Sequence, residues 1–321
     1  MNALKETKKK HLLAILKYLY LHNSSTMNEL VENLQLSQPS IRNMVRTLQE
    51  KQLIQEVGND LSSGGRCPTR FALNEKNYLI LCLYVQVDKV IYQLRNFNEI
   101  KKEGILFYQS EDELKKTIKD LIDQEKIHCC QIAVEGIVYE DVYVTDHHNV
   151  LEKHQWLKDI KKEINIPLQL QNDVKMIHQG CYFTYYLYIN EVGIGSSYFY
   201  KDEPLYGRSG IMGEIGLISL KGKTINQQIR ECQNQEEFNE ILSLLLSIVF
   251  TMIDPKRLEL SLDLKWRYEE NIIEKVLNEI NQSCFENLYF HEDVSSMLFD
   301  GLVYRGVVYL LKERIERNEK I

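Results

Sequence analysis

The sequence predicts an α/β protein that carries a winged helix-turn-helix at its N-terminus. Three observations predict it. The first seventy-odd residues show three helical stretches, then two short strand-like runs with Gly64, Gly65 and Arg66 between them. From Tyr78 onward strand-like and helix-like stretches alternate, the order of an α/β fold. Polar and glycine residues gather at strand ends, at Gln171–Asn172–Asp173, around Gly193 and Gly195, and over Tyr206–Gly216. Strand ends are where such folds bind ligands.

The first helix follows from Leu12, Ile15, Leu16 and Leu19, which recur at i, i+3, i+4 and i+7 and make one apolar face. Asn23, Ser24 and Ser25 break it. Thr26 stands three residues before Glu29, a capping box that opens a short second helix through Leu34. Ser37 is a good N-cap for a third, and Pro39 sits in its first turn, where no intrahelical N–H is needed. Ile41, Met44, Val45 and Leu48 form the inward stripe of this third helix. Its outward face carries Gln38, Ser40, Arg42, Asn43 and Arg46, side chains that can reach base edges or phosphates in a major groove. By itself such a face fits a solvated surface equally well. The helix pair and the wing that follows it favour DNA.

The wing is read as Leu53–Val57 and Thr69–Leu73, joined by a loop that contains Gly64, Gly65 and Arg66. Arg66 suits a narrow minor groove. Residues 1–75 hold ten Lys/Arg and seven Asp/Glu, whereas the whole chain of 321 residues has a formal charge of −7. The body is therefore acidic, so the head alone should meet DNA. A head this weakly basic argues for a dimer that pools two weak sites.

In the body, Tyr78–Val87 and Val90–Phe97 read as a hairpin and Glu111–Gln124 as a charged amphipathic helix. Ile127–Val134 is a strand ahead of Gly136, Trp156–Ile164 a helix, and Leu168–Leu170 a strand. Tyr185–Ile189 and Ser196–Tyr200 form another strand pair, and late helices surround a strand at Leu258–Leu262. The seven cysteines form no C-x-x-C pair and no zinc-spaced cluster with histidine. Cys129 and Cys130 read as buried small apolar residues. This usage and the start MNALKETKKK, charged and not followed by the apolar core of a signal peptide, lead to the expectation of a reduced, cytoplasmic protein. The run Ile241–Ile253 is too short to span a bilayer, so it is read as a buried helix and no membrane partner is expected.

The motifs resemble those of the ROK family, whose members are sugar kinases and sugar-responsive repressors. LSQPSIRNMVRTLQEKQLI and SSGGRCPTRFALN resemble the head of the repressor branch. IPLQLQND resembles the family's Asn-Asp sugar motif, LYGRSGIMGEIGLISL its glycine-rich GEIGH loop, IDPKRLEL a late strand and FDGLVYRGVVYL the last helix. The resemblance implies an actin-like, ribonuclease-H-like body of two lobes, assembled as a homodimer or homotetramer, with a sugar held between the lobes. The division expected from it is 1–75 for the head and 76–321 for the body, with lobes of about 76–184 and 185–321. It also implies sugar-binding roles for Asn172, Asp173 and Glu214, with Asn149 a weaker candidate. Asn172–Asp173 equally fits a cap on the segment that follows.

Departures from the family pattern separate regulator from enzyme. Family kinases open the body with D-x-G-G-T, whose glycines let backbone N–H groups approach ATP phosphates. Here Tyr84–Asp88 contains no glycine and Tyr84 replaces the acid, so Gln86 and Val87 are expected to fill the cradle. Glu191 brings negative charge toward the second phosphate loop, which keeps Gly193 and Gly195. Leu217 replaces the zinc-binding histidine of GEIGH. Gln52 stands where the family has a glycine after the recognition helix. The expectation is a DNA-binding transcriptional regulator, a repressor of carbohydrate-related genes that binds an inverted-repeat operator, with no cofactor, no metal and no catalytic residue. The alternative is an ATP-dependent sugar kinase that kept a DNA-binding head.

Overall fold

The computed structural model describes residues 2–59, 67–147, 150–177, 183–200, 203–269, 271–280, 285 and 287–317. Wing residue Arg66 and pocket candidate Asn149 lie outside them.

The head consists of α1 (Asn2–His22), β1 (Ser25–Thr26), α2 (Met27–Leu34), α3 (Gln38–Glu50), β2 (Ile54–Asn59) and β3 (Thr69–Leu73). Leu12, Ile15, Leu16 and Leu19 are buried, as are Ile41, Met44, Val45 and Leu48. The capping box forms with both bonds: Thr26 N–H donates to Glu29 Oε2 at 2.8 Å, and Glu29 N–H donates to Thr26 Oγ1 at 3.3 Å. Arg70 on β3 adds a clamp absent from the sequence reading. Its guanidinium donates to both Glu29 carboxylate oxygens, at 3.3 and 3.2 Å, and to Ser24 Oγ at 3.1 Å. The wing strand is thereby fixed to the start of the helix pair. The helix pair turns at Gln35, with φ 53°, and the turn that follows α3 has Gln52 at φ 55°. A non-glycine residue costs roughly 1 kcal/mol at such a left-handed position.

The first lobe contains β4 (Ile80–Val85), β5 (Lys89–Arg95), β6 (Ile100–Phe107), α4 (Glu111–Asp123) and β7 (Cys129–Val134). A small antiparallel sheet of β8 (Ile137–Tyr139), β9 (Val142–His147) and β10 (Val150–His154) follows, then α5 (Trp156–Glu163) and β11 (Leu168–Asn172). The second lobe contains β12 (Thr184–Asn190), β13 (Ile194–Tyr200), β14 (Glu203–Pro204), β15 (Ser219–Leu220), β16 (Lys223–Thr224), α6 (Ile225–Glu231), α7 (Gln235–Met252), β17 (Arg257–Asp263), α8 (Asn271–Glu279) and β18 (Asn287–Phe290). The chain then enters α9 (Val294–Arg317).

The two large sheets repeat one plan. Their orders are β11-β7-β4-β5-β6 and β14-β13-β12-β17-β18. In each, the first strand pairs antiparallel with the second and parallel with the fourth. This is the duplicated architecture of actin-like folds. Cys129 and Cys130 are buried on β7. β6 was not anticipated, and seven of its eight positions are exposed.

α9 departs from the expected division into lobes. It follows the second lobe in sequence but packs on β4 and β7 of the first, and on α1 of the head. One apolar core therefore runs from Leu16 and Leu19 through Leu302 and Val307 to Tyr186 and Phe199 of the second sheet. The rings of Tyr20 and Tyr304 lie 5.4 Å apart across the head–body junction. By length and composition α9 could cross a membrane, but here it is a core helix with Leu302, Val307 and Leu311 buried. Glu203 of the second lobe adds polar ties to both helices, 3.9 Å from Lys17 Nζ on α1 and bonded to Arg305 on α9.

α9 approaches the loop after β11 very closely at Gly301, where an added Cβ would fall 1.5 Å from the Met176 carbonyl oxygen. Gly301→Ala should therefore lower the melting temperature, although alanine in a free helix is favoured over glycine by about 1 kcal/mol. Thermal unfolding checks the sign; a gain in stability would show that this approach is not tight.

Candidate functional site

Two places bring polar side chains into functional arrangements. The first is the outer face of α3. Gln38, Ser40, Arg42, Asn43 and Arg46 are all exposed there, opposite the buried stripe. They are not equally available. The Ser40 hydroxyl lies 2.8 Å from Ser37 Oγ inside the N-cap, and Arg46 Nε donates to Glu50 Oε1 at 2.9 Å. That ion pair is solvated, with Arg46 80% exposed, so it holds the guanidinium only weakly. Arg42 and the Asn43 side chain make no hydrogen bond to a described residue.

The second place is a cavity of about 120 Å³ between the lobes. The ends of β7 and β11 bring Glu135, Asn172 and Asp173 to it from the first lobe. The β12–β13 hairpin and the glycine-rich loop bring Tyr188, Asn190 and Glu214 from the second. Three of the four candidates from the sequence thus line one cavity. Asn172 and Asp173 also serve the turn after β11. Asn172 Oδ1 accepts from Lys175 N–H at 3.2 Å, and Asp173 Oδ1 from Val174 N–H at 2.8 Å. Capping and pocket lining coexist in the same two residues. Asn172 Nδ2 meanwhile donates to the Gly136 carbonyl at 2.8 Å, tying the two strand ends together.

The end of β4 is closed by side chains. Tyr84 OH donates to Glu135 Oε1 at 3.0 Å and lies 3.2 Å from Asp173 Oδ2, while Gln86 Nε2 donates to Glu135 Oε1 at 2.9 Å. The expected filling by Gln86 holds, but Val87 points away and is 63% exposed. Glu135, which accepts from both Tyr84 and Gln86, joins this end of the strand in its place. The second glycine loop is closed as well. An added Cβ at Gly193 would fall 2.7 Å from Asn226 Oδ1, and that oxygen accepts from Ile194 N–H at 2.9 Å. The space in front of this glycine holds an amide.

Glu135, Lys175 and Asn226 carried no spacing signal in the sequence. Lys175 is 2% exposed, and its Nζ donates to the Gly210 carbonyl at 2.8 Å. Burial holds it below the usual lysine range, opposed by the Glu214 and Asp173 carboxylates. Burial pushes the Asp173 carboxyl up to about 7, and the neighbouring Glu135 carboxylate adds to the effect. Glu214 is also pushed up to about 7 by burial, against the pull of Lys175. The single Tyr84 proton faces two carboxylates, so a protonated Asp173 can return a hydrogen bond to the phenol oxygen. Ser196 positions the Glu214 loop, with Oγ donating to the Gly213 carbonyl at 2.5 Å and 2.6 Å from Tyr185 OH. Among the described residues no group of three or more His, Cys, Asp or Glu is placed to hold a metal ion.

Residues 105–243 match the family model of the ROK family. This stretch of the chain is similar to that family. Over 231 residues it is 24% identical to the xylose repressor of Staphylococcus xylosus, a match that takes in 63% of this chain and 58% of that repressor. The chain thus spans somewhat over half the length of that relative. Its fold is similar to that of a ROK-family transcriptional regulator, a homolog of the E. coli MLC protein, with a TM-score of 0.64 and 14% identity over 91% of this chain and 95% of the other. A ROK-family protein from Streptococcus pneumoniae solved with sucrose gives 0.55 and 12% identity, over 76% and 100%. The ROK hexokinase from Thermus thermophilus gives 0.54 and 11%, over 70% and 96%. Regulators and kinases share this fold, so the site must separate them.

Two raised carboxyl pKa values fix the sign of a pH effect. Unfolded, Asp173 and Glu214 ionise near pH 4; folded, they hold their protons to about 7. Between those values the folded state binds more protons, so their contribution to stability falls as pH rises from about 4 to 7. Glu214→Gln should flatten that fall and gain stability relative to the parent above pH 7. Denaturant titrations at pH 5.5 and 8 compare the two; parallel pH profiles for parent and variant would show that Glu214 ionises normally.

Proposed function

We propose that this ROK protein is a cytoplasmic, sugar-responsive DNA-binding repressor whose pocket binds its ligand without phosphorylating it. The observation that carries this reading is the closure at the end of β4. Tyr84, Gln86 and Glu135 are hydrogen-bonded into the place where a kinase of this fold needs open backbone N–H groups and glycines. A carboxylate there repels nucleotide phosphates rather than cradling them. The xylose repressor relative and the fold of the MLC-like regulator support the same reading. The head supplies the output. Arg42 and Asn43 of α3 enter a major groove, flanked by Gln38, Ser40 and Arg46, and Arg66 reaches the adjacent minor groove. Two heads related by a dimer axis then require an inverted repeat. The pocket supplies the input, with Asn172, Asp173 and Glu214, joined by Asn149, bonding adjacent hydroxyls of a sugar. An acceptor left unpaired by a missing hydroxyl costs about 1–3 kcal/mol, which makes such a site selective.

Gel shifts on the region upstream of its own gene test the output. Arg42→Ala should weaken operator binding by about 1–3 kcal/mol, and Arg66→Ala should weaken it while lowering the salt dependence. Unchanged affinity in both variants would remove the docking geometry. A coupled assay with ATP, magnesium and common hexoses tests the silent pocket. The expected rate is zero, and turnover abolished by Asp173→Ala would restore the kinase reading. Sugar binding should raise the melting temperature of the parent and leave that of Asp173→Ala unmoved.

A further inference from the structure

The inter-lobe cavity is lined by charge of one sign. Three carboxylates line it, those of Glu135, Asp173 and Glu214, and no described lysine, arginine or histidine does. The nearest buried cation, Lys175, lies outside the lining. Its ammonium is bonded to the Gly210 carbonyl and sits 5.7 Å from the centre of the Tyr206 ring. The three acids are not equally satisfied. Glu135 accepts from Tyr84 and Gln86, and Asp173 from Val174 N–H and Tyr84. The Glu214 carboxylate receives no hydrogen bond from a described residue, although it faces the same cavity. The remaining polar lining, which includes Thr145, Asn190 and Asn226, is uncharged.

We propose that this pocket selects its ligand by charge: it takes an unphosphorylated sugar, neutral or carrying a free amine, and excludes the phosphate esters and acids of sugars. This rests on the sugar-sensing reading above and adds which chemical form is sensed. The physical basis is the poor screening in a small, partly closed site. Like charges a few ångströms apart at a protein surface repel by several RT, and more as water is excluded. A phosphate would face all three carboxylates and find no guanidinium or ammonium to bind it. Sugar hydroxyls bring donors, and an ammonium brings charge, to the unfilled Glu214 carboxylate. The sensed molecule therefore stands before a phosphorylation step. It is the substrate of a sugar kinase and not its product.

The test uses the full chain and titration calorimetry at pH 8, with xylose, glucose and glucosamine set against glucose 6-phosphate and glucuronate. At least one of the first three should bind, and the two anions should bind about a hundred-fold more weakly or not at all. Glucuronate stays ionised from pH 6 to 8, so a second series at pH 6 reads the protein alone. Asp173 and Glu214 are faced by Glu135, Lys175, Tyr84, Tyr185 and Tyr188, and burial raises the three phenols further above this range. Partial neutralisation of the two carboxyls at pH 6 should narrow the preference for glucose over glucuronate, and Glu214→Gln should narrow it at pH 8. The pH series stands even if that variant does not fold. Binding of glucose 6-phosphate as tight as that of glucose overturns the proposal and leaves the sugar-sensing reading intact. A preference unchanged by both pH and Glu214→Gln overturns the carboxylates as its cause. If no sugar in either form binds, the sugar-sensing reading falls and this proposal with it.

Discussion

The packing of α9 is the constraint on which the rest of this structure depends. One helix covers the inner face of the first sheet, closes the core of the head against α1, and meets Tyr186 and Phe199 of the second sheet. Without it, three apolar surfaces would face water at once. At roughly 25 cal/mol per Å² of apolar area, that exposure would outweigh the few kcal/mol by which domains of this kind are stable. The same helix presses Gly301 onto the carbonyl of Met176, in the turn that carries Asn172 and Asp173. Head and pocket therefore both rest on one helix.

The pocket shows how side chains can close glycine-lined strand ends in a fold shared with kinases. Both glycine-lined regions are occupied by side chains of the chain itself, Glu135 with Gln86 in one and Asn226 in the other. Each occupant is hydrogen-bonded, so the closure is not a loose collapse. Asn172, Asp173 and Glu214 remain at the cavity wall. Of the occupants only Glu135 is acidic, and it adds to the Asp173 and Glu214 carboxyls of the cavity.

Much of the fold was legible because it depends on local pattern. The capping box at Thr26–Glu29, the N-cap at Ser37 and the buried stripe of α3 follow from spacing alone, and the strand pairs of the body follow from β-branched and aromatic runs. β6 escaped because a strand at a sheet edge need not alternate, and Ile100–Phe107 exposes nearly every side chain. The place of α9 escaped because sequence order says nothing about which sheet a last helix covers. In the site, Asn172, Asp173 and Glu214 were reachable through their motifs. Glu135 and Lys175 were not, since each acquires its role only when the ends of β7 and β11 and the glycine-rich loop converge. Val87 was misassigned because β4 ends at Val85 and Val87 lies exposed in the turn before β5.

The Tyr84 phenol has one proton to share between two carboxylates, and Asp173 and Glu214 both sit near neutrality. At ordinary working pH the empty pocket is therefore a mixture of protonation states. A ligand that prefers one of them must exchange protons with the solvent as it enters. The heat of binding then contains the ionisation heat of whatever buffer takes up or supplies those protons. Binding enthalpies for this protein become interpretable only as a series across buffers, whose slope counts the protons moved.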